Sequence, residues 1–192
     1  MFTLGILADT HIPDRALSLH PQIIPIFRQA RVKAILHAGD ISSPAVLEEL
    51  RQAAPVYAVR GNRDWFMLRK LPEVLFLEFC NIPIVLTHGH GNLHEYLVDK
   101  YRYMKEGYRL ERYQPRLRAA FPEARVIVFG HTHFAVNEWA DGQLLFNPGS
   151  PHFPGDVKTA PSLGLLHFED GGKVTSELAP LERFTVSSDR GT

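Results

Sequence analysis

"RVIVFGHTH", residues 125–133, holds the pattern on which the reading of this chain turns. A run of β-branched and aromatic residues stops at Gly130, and two histidines, His131 and His133, follow one residue apart. Near-continuous apolar runs of this length suit strands buried on both faces. The histidines then fall just past the carboxyl end of such a strand. A histidine there can equally well cap backbone groups, so the pair gains meaning only if other strand ends repeat it.

They do. "TLGILADTH" (3–11), "KAILHAGD" (33–40), "VYAVRGN" (56–62) and "IPIVLTHGH" (82–90) each run from an apolar strand to polar residues able to bind a metal. Helical patterns separate the first three. "PQIIPIFRQA" (21–30) opens with Pro21 and spaces Ile23, Ile24, Phe27 and Ala30 along one face. "SSPAVLEELRQA" (42–53) starts with capping serines and Pro44, and the chain reaches Pro55 soon after. Strand, helix, strand, helix, strand predicts parallel strands with right-handed crossovers. In such sheets a site forms beyond the carboxyl ends, where these polar residues fall. Later, "AVNEWADGQLLFNPGS" (135–150) predicts a hairpin turning at Asp141-Gly142, and "LGLLHFEDGGKVTSEL" (163–178) another at Asp170-Gly171-Gly172. Together they suggest a second, antiparallel sheet packed on the first.

Composition limits the classes. The 192 residues suit one domain, read here as 1–186 with a disordered tail at 187–192. The 21 basic and 21 acidic residues cancel, so net charge gives no support for a nucleic-acid partner. No apolar stretch approaches the roughly 20 residues of a membrane span, so no membrane partner is expected. Without a signal-peptide pattern, a cytoplasmic location follows by elimination. The lone Cys80, in "FLEFC", excludes an internal disulfide and reads as a small buried hydrophobe.

A basic helical insertion is expected at about 92–123. Leu93, Leu97, Tyr101, Met104 and Tyr108 follow a helical stripe, and residues 100–118 hold seven basic side chains against two acidic ones, with four tyrosines between them. A solvated helix face would account for this. The functional alternative is a flap, with Arg109 and Arg112 drawing in an anionic or nucleotide-like substrate.

The strand ends collect Asp9, His11, Asp40, Asn62, His88, His90, His131 and His133. Carboxylate, amide oxygen and imidazole without thiolate suit manganese, iron or zinc better than calcium. They also exceed what one ion needs. A shared carboxylate would let two ions use seven of them.

"DTH", "GD", "GN", "THGH", "GHTH" and "NPGS", in that order from Asp9 to Ser150, resemble the calcineurin-like metallophosphoesterase superfamily, in particular its small single-domain phosphodiesterase branch. The resemblance implies an α/β fold, a four-layer α-β-β-α sandwich of two facing mixed sheets with helices outside. It implies two divalent ions, manganese first, with iron, zinc or nickel as substitutes. Asp9, His11, Asp40 and His133 would hold one ion and Asp40, Asn62, His88 and His131 the other, so the two histidines of "GHTH" would serve different metals. Asp40, Asn62, Arg63 and His90 would carry catalysis. Many family members have a histidine where Arg63 stands. Arginine stays protonated, so it can clamp phosphate oxygens but is no ordinary general acid. His90 would assist the leaving group or orient its neighbours, and Asp64 would steady Arg63 or a ligand histidine. The implied activity is hydrolysis of a small phosphodiester or nucleotide-like substrate by a metal-bridging hydroxide. The alternatives are a scaffold or binding module on the same fold, or a phosphomonoesterase or protein phosphatase. No dinucleotide fingerprint, His-Glu-x-x-His or nucleophile elbow is present.

Overall fold

The computed structural model describes residues 1–183 apart from Asn92, Val157 and Asp170. The expected boundary at 186 and the tail at 187–192 lie outside the described residues. The chain runs through β1 (Phe2–Leu7), α1 (Ile23–Gln29), β2 (Ala34–His37), α2 (Pro44–Leu50) and β3 (Val56–Ala58). It continues through β4 (Val74–Phe79), β5 (Ile82–Thr87), α3 (Leu93–Glu106), α4 (Leu110–Ala120) and β6 (Val126–Val128). The last four strands are β7 (Val136–Ala140), β8 (Gln143–Asn147), β9 (Ser162–Glu169) and β10 (Lys173–Pro180).

Two five-stranded sheets result, in the orders β10-β9-β1-β2-β3 and β4-β5-β6-β8-β7. In the first, β1, β2 and β3 are parallel, while β9 and β10 are antiparallel additions. In the second, β5, β6 and β8 are parallel, with β4 and β7 antiparallel at the edges. Both sheets are therefore mixed.

Side-chain alternation explains the layering. Leu4, Ile6, Leu36, Leu86, Val128 and Phe146 point between the sheets and are fully buried there. Their strand neighbours point the other way: Leu7 and Ile35 meet Phe27 and Leu50 of the first two helices. Across the molecule Val85, Ile127 and Leu145 meet Tyr113 and Leu117 of α4. Each central strand thus feeds two apolar interfaces, which is why its sequence reads as a continuous apolar run. The four α-β-β-α layers follow.

Several local readings are corrected. The two hairpins do not form one sheet. β7–β8 joins the second sheet, turning at Asp141 and Gly142 with φ of 50° and 77°, whereas β9–β10 pairs beside β1. Strand β9 is apolar on both faces, contributing Leu166 and Phe168 to one layer and Leu163 and Leu165 to another, so it needs an interior place. Its turn passes through Gly171 and Gly172, and Asp170 lies outside the described residues. Helix α1 starts at Ile23, after Pro21, with Pro25 in its first turn. Cys80 is exposed, not buried. Together with Asn81 it makes the β4–β5 turn, with φ of 52° and 60°, the geometry of tight hairpins.

The segment between β5 and β6 forms α3 and α4. Three residues of the helical stripe face outward: Leu97, Tyr101 and Met104 are 56%, 54% and 72% exposed. Tyr113 and Leu117 of α4 do the packing instead. Among the described residues no helix is long and apolar enough to cross a membrane.

Phe146 sits fully buried between the sheets. Phe146→Ala should therefore lower unfolding stability by about 3–5 kcal/mol. Urea denaturation measures it, and a loss below about 1 kcal/mol would contradict this layer assignment.

Candidate metal centre

The carboxyl ends of β1, β2, β3, β5 and β6 meet at one rim, laced by backbone hydrogen bonds. The Asp9 N–H donates to the Gly39 carbonyl and the His11 N–H to the Asp40 carbonyl, both at 3.0 Å. The Gly130 N–H donates to the His88 carbonyl at 3.3 Å. Five of the candidate ligands hold positive φ: Asp9 (54°), His11 (51°), Asp40 (53°), His131 (71°) and His133 (61°). Left-handed backbone at non-glycine residues is uncommon, and such strain gathers at functional sites.

The side chains converge. Asp9, His11 and His133 place ligand atoms within 4.8 Å of one another, and so do Asp9, Asp40 and His88. His133 Nε2 lies 3.1 Å from His11 Nε2 and 3.5 Å from Asp9 Oδ1. His88 Nε2 lies 3.1 Å from Asn62 Oδ1 and 3.5 Å from Asp40 Oδ1. His131 Nδ1 reaches the same Asn62 oxygen at 3.1 Å. The two histidines of "GHTH" thus face different groups, as a turn outside β6 allows.

Donor and acceptor chemistry shows what is missing from this arrangement. His88 Nδ1 donates to the Ala38 carbonyl at 2.7 Å, and His133 Nδ1 donates to the Phe153 carbonyl at 2.6 Å. A carbonyl only accepts, so each Nδ1 carries the proton. Burial pushes His88 down to about 3 and lowers His133, leaving both rings neutral. Their Nε2 lone pairs therefore aim at carboxylate oxygens. Burial, then His133, drives His11 down to about 2. Both oxygens of Asp9, fully buried, lack a hydrogen bond. Burial, then the Asp40 charge, raises Asp9 well above the carboxylate range, and the His131 backbone N–H offsets part of this without completing a hydrogen bond. Acceptors facing acceptors in a dry pocket suit a cation. The donor set fits a divalent metal.

Other side chains fix the rim. Asp64 does not hold Arg63 or a histidine; its carboxylate accepts from the backbone N–H groups of Ile41 (3.0 Å), Ser42 (2.8 Å) and Gly61 (2.7 Å). It thereby ties the loop of Asp40 to the loop of Asn62. Asn147 donates to the Gly130 carbonyl at 2.9 Å, and the Ser150 hydroxyl donates to the Asp9 carbonyl at 2.8 Å. His37, given no role by its sequence position, meets the Thr10 hydroxyl at 3.2 Å, between Asp9 and His11. Two glycines serve close approach more than turning. A Cβ at Gly61 would lie 2.2 Å from Asp40 Oδ1, and one at Gly130 would lie 3.0 Å from Asp9 Oδ2.

The centre opens on a cavity of about 430 Å³, floored by His11, Asp40, Asn62, His131 and His133. Arg63 lines it, with only a loose 3.9 Å approach to Asp14, and its backbone N–H donates to Asp40 Oδ1 at 2.9 Å. Arg15, which the sequence reading passed over, lines it too. His90 does not line the cavity; its ring packs 5.3 Å from His88 and 6.1 Å from His131. Arg109 and Arg112, expected to draw in substrate, border a separate depression, and Arg112 pairs with Glu106.

Comparison with known proteins gives the family. The model of the calcineurin-like phosphoesterase superfamily domain matches residues 2–171. The chain belongs to that superfamily. Among other phosphoesterases of this family, a probable metallophosphoesterase of Methanothermobacter thermautotrophicus is 35% identical over 176 residues, covering 91% of this chain and 90% of the relative. The phosphodiesterase MJ0936 of Methanocaldococcus jannaschii is 26% identical, over 86% of this chain and 93% of that one. The structure of zinc-complexed Vps29 from Entamoeba histolytica superposes with a TM-score of 0.64 at 21% identity, covering 93% of this chain and 99% of that one, a likeness of fold.

Gly61→Ala would press a methyl group on the Asp40 carboxylate and backbone. Manganese affinity should fall roughly 10–100-fold, as for other changes around metal ligands, with the circular dichroism spectrum unchanged. Calorimetric titration measures it; unaltered affinity would remove Asp40 from the metal centre.

Proposed function

We propose that this phosphoesterase is a two-metal phosphodiesterase acting on small phosphodiesters or nucleotide-like substrates. One observation carries the reading: the two oxygens of Asp40 face two ligand sets. Oδ2 lies 3.8 Å from His11 Nε2 and Oδ1 lies 3.5 Å from His88 Nε2. Asp9, His11, Asp40 and His133 would hold one divalent cation, and Asp40, Asn62, His88 and His131 the other. Oxygen and imidazole ligands favour manganese, with iron, zinc or nickel as substitutes. Bound there, such cations acidify water and neutralise phosphoryl oxygens.

The remaining steps belong to the protein's own side chains. Arg63, permanently charged and on the cavity, binds the phosphate oxygens that face away from the metals. Its backbone N–H also steadies Asp40. His90 is a positioning residue, packed against His88 and His131 and outside reach of a substrate in the cavity. The cavity admits a modest diester, and the relative named as a phosphodiesterase supports ester preference in the same direction.

With manganese, the wild-type protein should hydrolyse bis-p-nitrophenyl phosphate, and Asp40→Asn should reduce turnover to background while its circular dichroism spectrum stays native. Near-normal turnover in the variant would contradict the bridging role.

A further inference from the structure

We propose that the α3–α4 hairpin supplies a subsite for a nucleobase, with the exposed face of Tyr103 as its stacking surface, so that the preferred ligand is a nucleotide. The proposal rests on the phosphodiesterase reading above for the position of the phosphate. It concerns the wall of the cavity, where the metal-facing residues give way to Tyr103, Tyr108, Tyr113 and Phe153.

Three of these rings are already covered. Tyr108 stacks on Phe134 with ring centroids 4.0 Å apart and planes 5° from parallel, and Tyr113 lies 5.9 Å from its ring. The Arg116 guanidinium sits 5.6 Å over Tyr113, and Arg15 lies 5.9 Å over Phe153. Tyr103 differs. It is 48% exposed, and among the described residues no ring or cation lies over its face. An aromatic plane beside a phosphate-binding floor suits a base, because every base presents a π-face to stack.

Charge points the same way. Two of the basic residues away from the cavity are paired, Arg112 with Glu106 and Arg60 with Glu73. On it, Arg15 and Lys100 have no ion pair among the described residues. Lys100 sits three residues before Tyr103, on the same face of α3. Asp99, also on the wall, is held by Arg116 at 2.9 Å and makes no ion pair with either cation. Cationic groups beside a free aromatic face select a ligand that is both anionic and planar. Inorganic phosphate would leave the wall unused, and a neutral aromatic would leave the cations unsatisfied.

The test is calorimetric titration, in manganese, of wild type, Tyr103→Ala and Tyr103→Phe with adenosine 5′-monophosphate and with inorganic phosphate. Wild type should bind the nucleotide at least tenfold more tightly than phosphate. Tyr103→Ala should weaken nucleotide binding about tenfold, within what base stacking on an aromatic side chain contributes, and leave phosphate binding unchanged. Tyr103→Phe should bind like wild type. The proposal is overturned if wild type does not prefer the nucleotide, or if Tyr103→Ala binds it normally. Tyr103-dependent nucleotide binding without hydrolysis of any diester would uphold the subsite and sink the hydrolase reading. Hydrolysis of aryl diesters without that dependence would do the reverse.

Discussion

The buried Asp9 carboxylate, with no completed hydrogen bond on either oxygen, constrains everything else at the rim. A carboxylate out of water without hydrogen bonds costs several kcal/mol or takes up a proton. Here its neighbours are a second buried carboxylate, Asp40, and imidazoles whose lone pairs are turned inward by carbonyls behind them. A divalent cation relieves each of these costs at once. Burial that would be a liability in an apo core becomes tight coordination.

Such a centre needs ligands fixed closely before the metal arrives, and the sandwich supplies that rigidity. β1, β2 and β3 end on one sheet and β5 and β6 on the other, and the interior between them is filled by side chains such as Leu4, Leu86 and Phe146. The loops leaving these ends are stitched together by Asp64 within the first sheet, by Asn147 within the second, and by Ser150 across the two. Five ligand candidates then adopt left-handed backbone, a cost that the surrounding packing sustains.

Much of this was legible in the chain. "ILADTH", "LHAGD" and "VFGHTH" each mark a strand buried on both faces, a turn and a ligand, because periodicity and turn chemistry are local. What depends on a partner element was not legible. Asp64 looked like a companion of Arg63, yet its acceptors' partners, Ile41 and Ser42, lie more than twenty residues away. The stripe of Leu97, Tyr101 and Met104 has helical spacing, but spacing does not say whether a partner element covers it, and each of the three stands more than half exposed. The apolar neighbours of Cys80 suggest burial, but the residue sits in a two-residue hairpin turn that faces solvent. Tyr103 and Arg15 meet only in the cavity, which joins α3 to the loop after β1.

In the proposed centre two cations would share Asp40. Anomalous scattering from manganese-loaded crystals tests it most directly. Two peaks are expected about 3.5–4 Å apart, one beside Asp9, His11 and His133, the other beside Asn62, His88 and His131, with Asp40 between them. A single peak that Asp40 does not touch, or no peak at this rim, would contradict it.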